Sequence, residues 1–406
     1  MKQYIKQFIF LAAFTLIFAV GCDDRGTNSL DQAELQEGGI DPRKHTFATE
    51  LGLQINNKDM NMLMSIYIPK VAIPSIADPS AVEPIPLLIL LAPQDGGQYY
   101  YFNHGLKEVA DRLISDGVIE PMAIACIPND DYLGGFFYAG NYPAGGRYDD
   151  LIGGSLIDHL EYSWPWIISS PDKRGIGGIG QGAYGAFRAA IKHPGVFTSL
   201  SAIDGPLDFD GPDGKGGFYQ LFDDALREQP SSLTDIKDFR IEGEMHLSRM
   251  MAGAAYAFSP HDTLIDWEID EFNRIKINAR YSLTDNTTLV NSNPNDLNLF
   301  FHLPFDINGI RYLPIWQDMW LPNNLENMLT PGIFDGLNIW VATSSQNNYG
   351  RFHEQTASFI STLQAEGYPV TTKTYTGYSG SPAEKDQYLY DLLEDILIFH
   401  NENFKD

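Results

Sequence analysis

Residues 174–188 decide the fold and read Arg-Gly-Ile-Gly-Gly-Ile-Gly-Gln-Gly-Ala-Tyr-Gly-Ala-Phe-Arg. An apolar, glycine-rich run leads into a segment of small residues, which predicts a buried strand, a sharp turn and a helix. Gly178, Gly180 and Gly182 have the spacing of the Gly-x-Ser-x-Gly nucleophile turn. Gly180 stands where that motif has its serine, and a residue without a side chain cannot form a covalent intermediate. The stretch therefore predicts the backbone of a nucleophile turn without the nucleophile.

Strands and helices alternate along most of the chain. Short apolar runs predict strands, and segments with apolar residues three or four apart predict helices. This alternation indicates an α/β fold, a mostly parallel sheet with helices on both faces. The strands are predicted at 62–68, 86–91, 122–127, 175–179, 197–203, 336–342 and 370–375, and the helices at 102–116, 149–164, 181–193, 351–367 and 383–404.

The alternation stops between about 205 and 335. This stretch follows the carboxyl end of a predicted strand, so we expect an insertion that caps the side of the sheet where α/β folds bind ligands. Its aromatic side chains are interpreted as the insertion's own core, because aromatic residues dominate core packing; a surface that stacks sugars or aryl groups is the alternative. These aromatics are Phe258, Trp267, Phe272, Phe300, Phe301, Phe305, Tyr312, Trp316 and Trp320.

The first 21 residues predict an export signal, in which two lysines precede an apolar run too short to span a bilayer comfortably. The end of this run, Ala-Val-Gly-Cys22, resembles the lipobox of bacterial lipoproteins, in which the cysteine is lipidated. We expect an exported protein that is membrane-anchored through Cys22, in the periplasm or at the cell surface. An ordinary signal peptide with a chance cysteine is the alternative. Residues 22–45 predict a flexible polar tether, followed by one domain over 46–406.

The 406 residues carry a formal net charge of −26 and include two cysteines. So acidic a surface repels nucleic acid and anionic membranes, and no nucleic-acid partner is expected. Cys126 lies in a short apolar run and is predicted to be a buried, inert thiol. No group of His, Cys and Asp has metal-ligand spacing, so neither a metal nor a cofactor is expected. Residues 208–214 are one residue off a calcium-loop pattern and are interpreted as an acidic turn.

Residues 174–197 resemble the Putative esterase family of α/β-hydrolases, which includes feruloyl and acetyl-xylan esterases and S-formylglutathione hydrolase. The resemblance rests on Gly-Ile-Gly-Gln-Gly-Ala-Tyr-Gly-Ala-Phe-Arg188 and on Lys-His-Pro-Gly-Val-Phe197. It implies an α/β-hydrolase fold with a nucleophile, an acid and a histidine in that chain order. It places the acid at Asn347, in Ser-Ser-Gln-Asn-Asn-Tyr-Gly, and the histidine at Ser379, in Gly-Tyr-Ser-Gly. The triad positions that the resemblance implies are therefore Gly180, Asn347 and Ser379.

None of these three residues can perform the chemistry of a triad. Gly180 offers no attacking atom, Ser379 cannot accept a proton near neutral pH, and Asn347 carries no charge to support an imidazolium. Asp204 ends a predicted strand and could supply an acid, but an acid alone does not replace a nucleophile and a base. The remaining candidates are interpreted as structural: Ser201 on a strand, His353 on a helix surface, and His261 and His302 in the insertion.

The turn at Gly180 still predicts a binding site. The N–H of Gln181 heads the helix and, with the helix dipole, favours a carboxylate, carbonyl or anion. A second donor would have to come from the loop after strand 86–91, where Pro93 has no N–H and the candidates are Gln94 or a later residue of the loop. We expect a non-catalytic family member that binds a small ester, carboxylate or carbohydrate ligand, or a partner. Two alternatives stay open: an active carboxylic ester hydrolase with a relocated nucleophile, and a structural lipoprotein without a small-molecule site.

Overall fold

The structure is a computed structural model, and its described residues begin at Leu53. The predicted signal segment 1–21, Cys22 and the tether 22–45 therefore lie outside the described residues. The structure describes residues 53–55, 58–60, 64–69, 84–129, 135, 137–140, 148–163, 170–211, 217–241, 245–260, 263–269, 275–282, 288–289, 301–345, 351–376 and 382–404.

A seven-stranded sheet forms the centre of the described chain. The strands, numbered in chain order, are β1 Leu53–Ile55, β2 Lys58–Met60, β3 Ser65–Tyr67, β4 Leu87–Leu91, β5 Ala123–Ile127, β6 Arg174–Ile179, β7 Ser199–Ile203, β8 Thr263–Ile269, β9 Ile275–Ser282, β10 Thr288–Leu289, β11 Asn338–Ser344 and β12 Val370–Tyr375. The central sheet has the order β12-β11-β7-β6-β4-β5-β3, and all its pairs are parallel except β3 with β5. Strands β8 to β10 form a separate antiparallel sheet within the insertion.

Helices connect the parallel strands, as a parallel sheet requires. The longer helices are α1 Leu106–Ser115, α2 Leu156–Ser163, α3 Gln181–Lys192, α4 Phe218–Glu228, α5 His246–Phe258, α6 Phe352–Ala365 and α7 Pro382–Asn403. Shorter helical turns lie at Tyr100–Asn103, Tyr148–Asp150, Leu151–Ser155, Pro171–Lys173, Ile236–Asp238, Leu313–Ile315, Trp316–Trp320, Leu321–Asn323 and Leu325–Met328. No helix among the described residues is long and apolar enough to cross a membrane.

The sheet is buried on both faces, and β4 shows why. Successive side chains of a strand point to opposite faces. Leu87, Ile89 and Leu91 belong to the core under α3 and α6, whereas Leu88 and Leu90 belong to the core under α1 and α7. All five are fully buried, which explains why the strand is a continuous apolar run. The predicted α/β fold is confirmed.

Two local expectations need correction. The helix predicted over 102–116 is two helices, because Gly105 has a left-handed φ of 92° and ends the first turn. The aromatics of the insertion form a core, but not a separate one. Phe258, Trp316 and Trp320 are buried and continuous with the core beneath α3. Tyr312 is exposed, and for the other aromatics of 261–300 the structure describes no side chain.

Candidate functional site

The turn at Gly180 joins the central strand β6 to helix α3. Gly180 has φ 58° and ψ −120°, a left-handed conformation that residues with a side chain adopt only under strain. Its N–H is within hydrogen-bond distance of two carbonyl oxygens at the end of β7, those of Ile203 at 3.0 Å and Asp204 at 2.8 Å. The predicted strand–turn–helix is therefore present, with Gly180 at its apex.

The three glycines of the turn differ in what surrounds them. A Cβ atom on Gly178 would lie 2.2 Å from the backbone of Gly182, and one on Gly182 would lie 2.1 Å from the carbonyl oxygen of Leu91. Helix α3 therefore approaches the strands too closely for any side chain at these two positions. A Cβ on Gly180 would lie 3.5 Å from Pro93 and 3.7 Å from Phe352, which are ordinary contacts. Packing does not require a glycine at 180.

Asp204 lies beside this turn, directly after β7, and has a positive φ of 30°. Its buried carboxylate accepts hydrogen bonds from the hydroxyls of Tyr375 at 2.6 Å and Thr343 at 2.9 Å, and from the N–H of Ser344 at 3.1 Å. Burial raises the pKa of Asp204, and these hydrogen bonds oppose the rise without cancelling it. One carboxylate thus joins the ends of β7, β11 and β12.

His353 differs from the sequence interpretation. We interpreted it as a surface residue of a helix, but only 18% of its side chain is exposed, in the first turn of α6. It lies close enough to Asp204 for its charge to lower the pKa of that carboxyl. The hydroxyl of Thr343 contacts both the Asp204 carboxylate and, at 3.3 Å, the carbonyl oxygen of His353. The hydroxyl of Thr343 therefore links the Asp204 carboxylate to the main chain of the first turn of α6, at the same sheet edge as Gly180.

Gln181 begins helix α3, as the sequence predicts. A helix provides no internal acceptor for its first N–H groups, so this end favours negative charge. The side chain of Gln181 points into the protein, where its oxygen accepts a hydrogen bond from the Asn129 amide at 2.8 Å. If Gln181 contacts a ligand, it does so through its backbone N–H.

Gln94, the candidate for the second donor, lies in the loop between β4 and α1. Its side-chain amide donates to the carbonyl oxygen of His246, at the start of α5, at 3.0 Å. The next residue, Asp95, forms a two-bond ion pair with Arg249 of the same helix, at 2.6 and 3.1 Å. The insertion therefore holds the loop that carries Gln94. Whether Gln94 binds a ligand stays a prediction.

The other two positions implied by the family resemblance, Asn347 and Ser379, lie outside the described residues. Asp204 is the acid that the structure places near Gly180, and the sequence had signalled it as the last residue of a strand.

Outside this site, one histidine is hydrogen-bonded to two serines. His400 of α7 contacts the hydroxyl of Ser199 at 2.7 Å through Nδ1 and that of Ser201 at 2.9 Å through Nε2. All three are at most 1% exposed, and Ser199 is at the amino end of β7, opposite the turn at Gly180. A substrate cannot reach this group, so it is a core network that attaches α7 to the sheet.

Burial lowers the pKa of His400 to about 3, below the ordinary value near 6.5. The unfolded chain therefore binds a proton between pH 6.5 and 3 that the folded chain does not, so this residue's contribution to stability falls as the pH falls. Between pH 7 and 5 we expect wild type to lose about 2 kcal/mol more unfolding free energy than His400→Gln. Urea titrations of both proteins at the two pH values measure this difference, and equal losses would contradict it.

Arg188 fixes the helix that carries the turn. Its guanidinium makes two hydrogen bonds with the Asp149 carboxylate, at 2.8 and 3.0 Å. It also donates to the hydroxyl of Tyr184 at 3.1 Å and to the side-chain oxygen of Asn323 at 2.8 Å. Arg188 and Asp149 have side chains 5% and 14% exposed, so this is a largely buried ion pair. It ties α3 to the insertion and to the segment before α2. The sequence analysis did not single out Arg188.

In the acidic turn predicted at 208–214, the described carboxylates have hydrogen-bond or ion-pair partners within the protein. Asp208 accepts hydrogen bonds from the N–H groups of Asp210 and Gly211, and Asp210 pairs with Arg311. Among the described residues, no group of three or more His, Cys, Asp or Glu side chains is arranged to hold a metal ion.

A mostly parallel seven-stranded sheet, with a left-handed turn between its central strand and the following helix, defines an α/β-hydrolase. The sequence profile of the Putative esterase family matches residues 58–263, just over half of the chain. The chain therefore belongs to the Putative esterase family.

Two solved structures of esterase-like enzymes were found similar to this chain, and one of them, with a TM-score above 0.5, shares its fold. A ferulic acid esterase is similar with a TM-score of 0.53 and 12% identity, over 89% of this chain and 98% of that one. An S-formylglutathione hydrolase from Agrobacterium tumefaciens has a TM-score of 0.47 and 13% identity, over 89% and 95% of the two chains. No significant match was found among curated protein sequences. At these identities the likeness concerns the fold alone.

Proposed function

We propose that this chain is an exported, lipid-anchored esterase-family protein that binds a ligand or partner and does not hydrolyse it. The observation that carries the proposal is the glycine at the apex of the turn. Packing forces glycine at 178 and 182 but not at 180, where a side chain would make only ordinary contacts. The fold therefore leaves room for a nucleophile that the sequence does not provide.

The chemistry around Gly180 suits a small acyl or carboxylate ligand. The space above Gly180 is bordered by Pro93 and Phe352, which are apolar, and by the carbonyl oxygen of Asp204. The first turn of the 12-residue helix α3 directs its dipole toward this space. An apolar wall with a helix end at one side fits the carbonyl or carboxylate of a small ester, a short carboxylic acid or an acylated sugar.

An active ester hydrolase with a relocated nucleophile is the second candidate. The position of His353 favours it, because this histidine lies in the first turn of α6, whose main chain shares the Thr343 hydroxyl with Asp204, and an imidazole is a possible general base. This candidate requires a reactive hydroxyl near that histidine. The hydroxyls of Thr343 and Tyr375 are the described ones that contact Asp204, and both donate hydrogen bonds to its carboxylate. Both hydroxyls donate to the carboxylate and not to an imidazole, and donation to an imidazole is the arrangement that a histidine base requires, so we favour the non-catalytic function.

Ligand binding at the turn is tested by placing a large side chain at residue 180. We expect ferulate, acetate or acetylated xylo-oligosaccharides to raise the melting temperature of wild type, by about 2.7 kcal/mol of stabilisation at a hundred times the dissociation constant. Gly180→Leu places a side chain in the space and should remove the shift. Gly195→Leu is the control, because Gly195 also has a positive φ, 79°, but has open space around it.

Gly180→Leu and Gly195→Leu both place a side chain at a positive φ, but only the first places it beside Pro93 and Phe352. The ligand-induced shift is therefore compared within each variant, with and without ligand, so that a loss of basal stability does not enter the comparison. An equal ligand-induced shift in both variants would mean that the ligand binds elsewhere. No shift of wild type with any of these compounds would favour the structural lipoprotein.

A further inference from the structure

Exposed apolar side chains are concentrated in one short segment. Five large hydrophobic residues are exposed in the described part of the chain, and four of them lie within seven residues. Single exposed hydrophobics are normal on protein surfaces, but a cluster marks a contact surface. We name this cluster the apolar turn; its members are Ile307, Ile310, Tyr312 and Leu313, which are 38–61% exposed.

The apolar turn is held in a fixed shape from within. Asp306 accepts hydrogen bonds through its carboxylate from the N–H groups of Asn308, at 2.8 Å, and Ile310, at 3.0 Å. Its own N–H donates to the carbonyl oxygen of Ile310 at 3.0 Å. Phe305, the residue before it, is buried and stacks on Phe222 with ring centroids 4.5 Å apart. The exposed side chains therefore lie on a turn that is already ordered. Binding through this turn would lose little conformational entropy.

The charges of this segment are engaged by neighbouring groups. Arg311 pairs with Asp210 at 2.5 Å, and its guanidinium lies over the rings of Tyr219 and Trp316 at 4.5 and 5.5 Å. Asp306 accepts the two N–H groups of the turn. The segment thus presents aliphatic groups and a tyrosine, whose ring and hydroxyl suit a boundary between hydrocarbon and water.

We propose that the apolar turn inserts into the interface of a zwitterionic phospholipid bilayer, so that the domain lies against its membrane. This inference rests on the membrane anchoring in the proposed function. Fifty-two residues precede β1, the first described strand, and the predicted anchor Cys22 lies 31 positions before Leu53. A linker of about 30 residues spans up to about 100 Å when extended, so it lets any face of the domain reach the membrane. A zwitterionic surface is the fitting one, because a net charge of −26 opposes contact with anionic lipids.

The test places an environment-sensitive fluorophore in the turn of the full-length protein. Asn308→Cys is labelled with a thiol-reactive nitrobenzoxadiazole dye; Cys126 is buried and should not react. Val118→Cys is the control, because Val118 is exposed at 48% in a different part of the chain. On vesicles of phosphatidylcholine we expect at least about a twofold rise in emission at 308, with quenching by doxyl-labelled lipid, and no change at 118. Adding Ile310→Ser and Leu313→Ser should abolish the rise at 308.

Each other outcome overturns the inference. Equal emission at 308 and 118 on vesicles would mean that the turn does not enter the bilayer. A rise at 308 that depends on protein concentration without lipid would assign the turn to a second copy of this chain. The protein without the introduced cysteine is treated with the same dye as a control. Labelling of Cys22 in that protein would show that Cys22 is not lipidated. The proposed anchoring is thereby tested separately from the proposed insertion of the apolar turn.

Discussion

Gly180→Ser with Asn347→Asp and Ser379→His should turn an unreactive protein into one that is labelled by a fluorophosphonate and hydrolyses activated aryl esters. Wild type should show no stoichiometric labelling and no burst with such an ester, because it lacks an attacking oxygen at the turn. Complete triads exceed triad-deficient forms by about 10⁶-fold in kcat in well-adapted enzymes. An assembled but unadapted triad should exceed wild type by at least about 10²-fold.

The structure supports the first of these substitutions most directly. A side chain at 180 would meet Pro93 and Phe352 at ordinary contact distances. The strain of a serine at a φ of 58° is on the order of 1–3 kcal/mol, which a domain of this size tolerates. Mass spectrometry of the labelled peptide and initial rates with a p-nitrophenyl ester measure the outcome.

Two further variants interpret the result. Gly180→Ala in the same background keeps the restored acid and histidine but has no nucleophile, and it should remain unlabelled. Asp204→Asn in the triple variant tests whether Asp204, and not residue 347, supports the new histidine. A folded triple variant that gains neither labelling nor turnover would show that the implied positions are misplaced.

Arg188→Ala should be the most destabilising of the single substitutions considered. It removes one partner of a largely buried ion pair and leaves the Asp149 carboxylate without its two charged hydrogen bonds. Breaking a buried pair from one side costs about 3–5 kcal/mol. Urea unfolding monitored by tryptophan fluorescence should therefore give a much lower midpoint than for wild type.

Arg112→Ala is the matched control. Arg112 pairs with Glu394 at 2.7 Å, but both side chains are 41% exposed. Solvent and salt screen an exposed pair, so this variant should unfold close to wild type. If the two arginine variants lost equal stability, the network around Arg188 would not be a main support of helix α3.

The strands of the central sheet could be predicted from the sequence, but the hydrogen bonds between polar side chains could not. Strand 370–375 was predicted at its observed bounds, and β4 was recognisable because a strand covered on both faces is a continuous apolar run. A predicted helix boundary was wrong where the backbone conformation of one residue ends the helix. The positive φ of Gly105 divides the helix predicted over 102–116.

The site was predictable only where it is local in sequence. The turn at Gly180 lies within one 15-residue stretch, and its strand, apex and helix follow the pattern. The bond of Thr343 with Asp204, and the bonds of His400 with Ser199 and Ser201, join residues about 140–200 positions apart. Their contact depends on how strands and helices are arranged in space, which spacing along the chain does not contain. His353 was interpreted as a residue on the surface of a helix; it lies on helix α6, but most of its side chain is buried.

The contrast between Gly178, Gly182 and Gly180 has a consequence for how such chains are recognised. The outer two are imposed by van der Waals exclusion between main chains, whereas the middle one is favoured only by its positive φ, which another residue adopts at a cost of about 1–3 kcal/mol. A pattern search that rewards the outer pair therefore recognises the fold of the turn and not the presence of a nucleophile. The residue between them is the one that should decide whether a nucleophile, and with it an enzyme, is assigned.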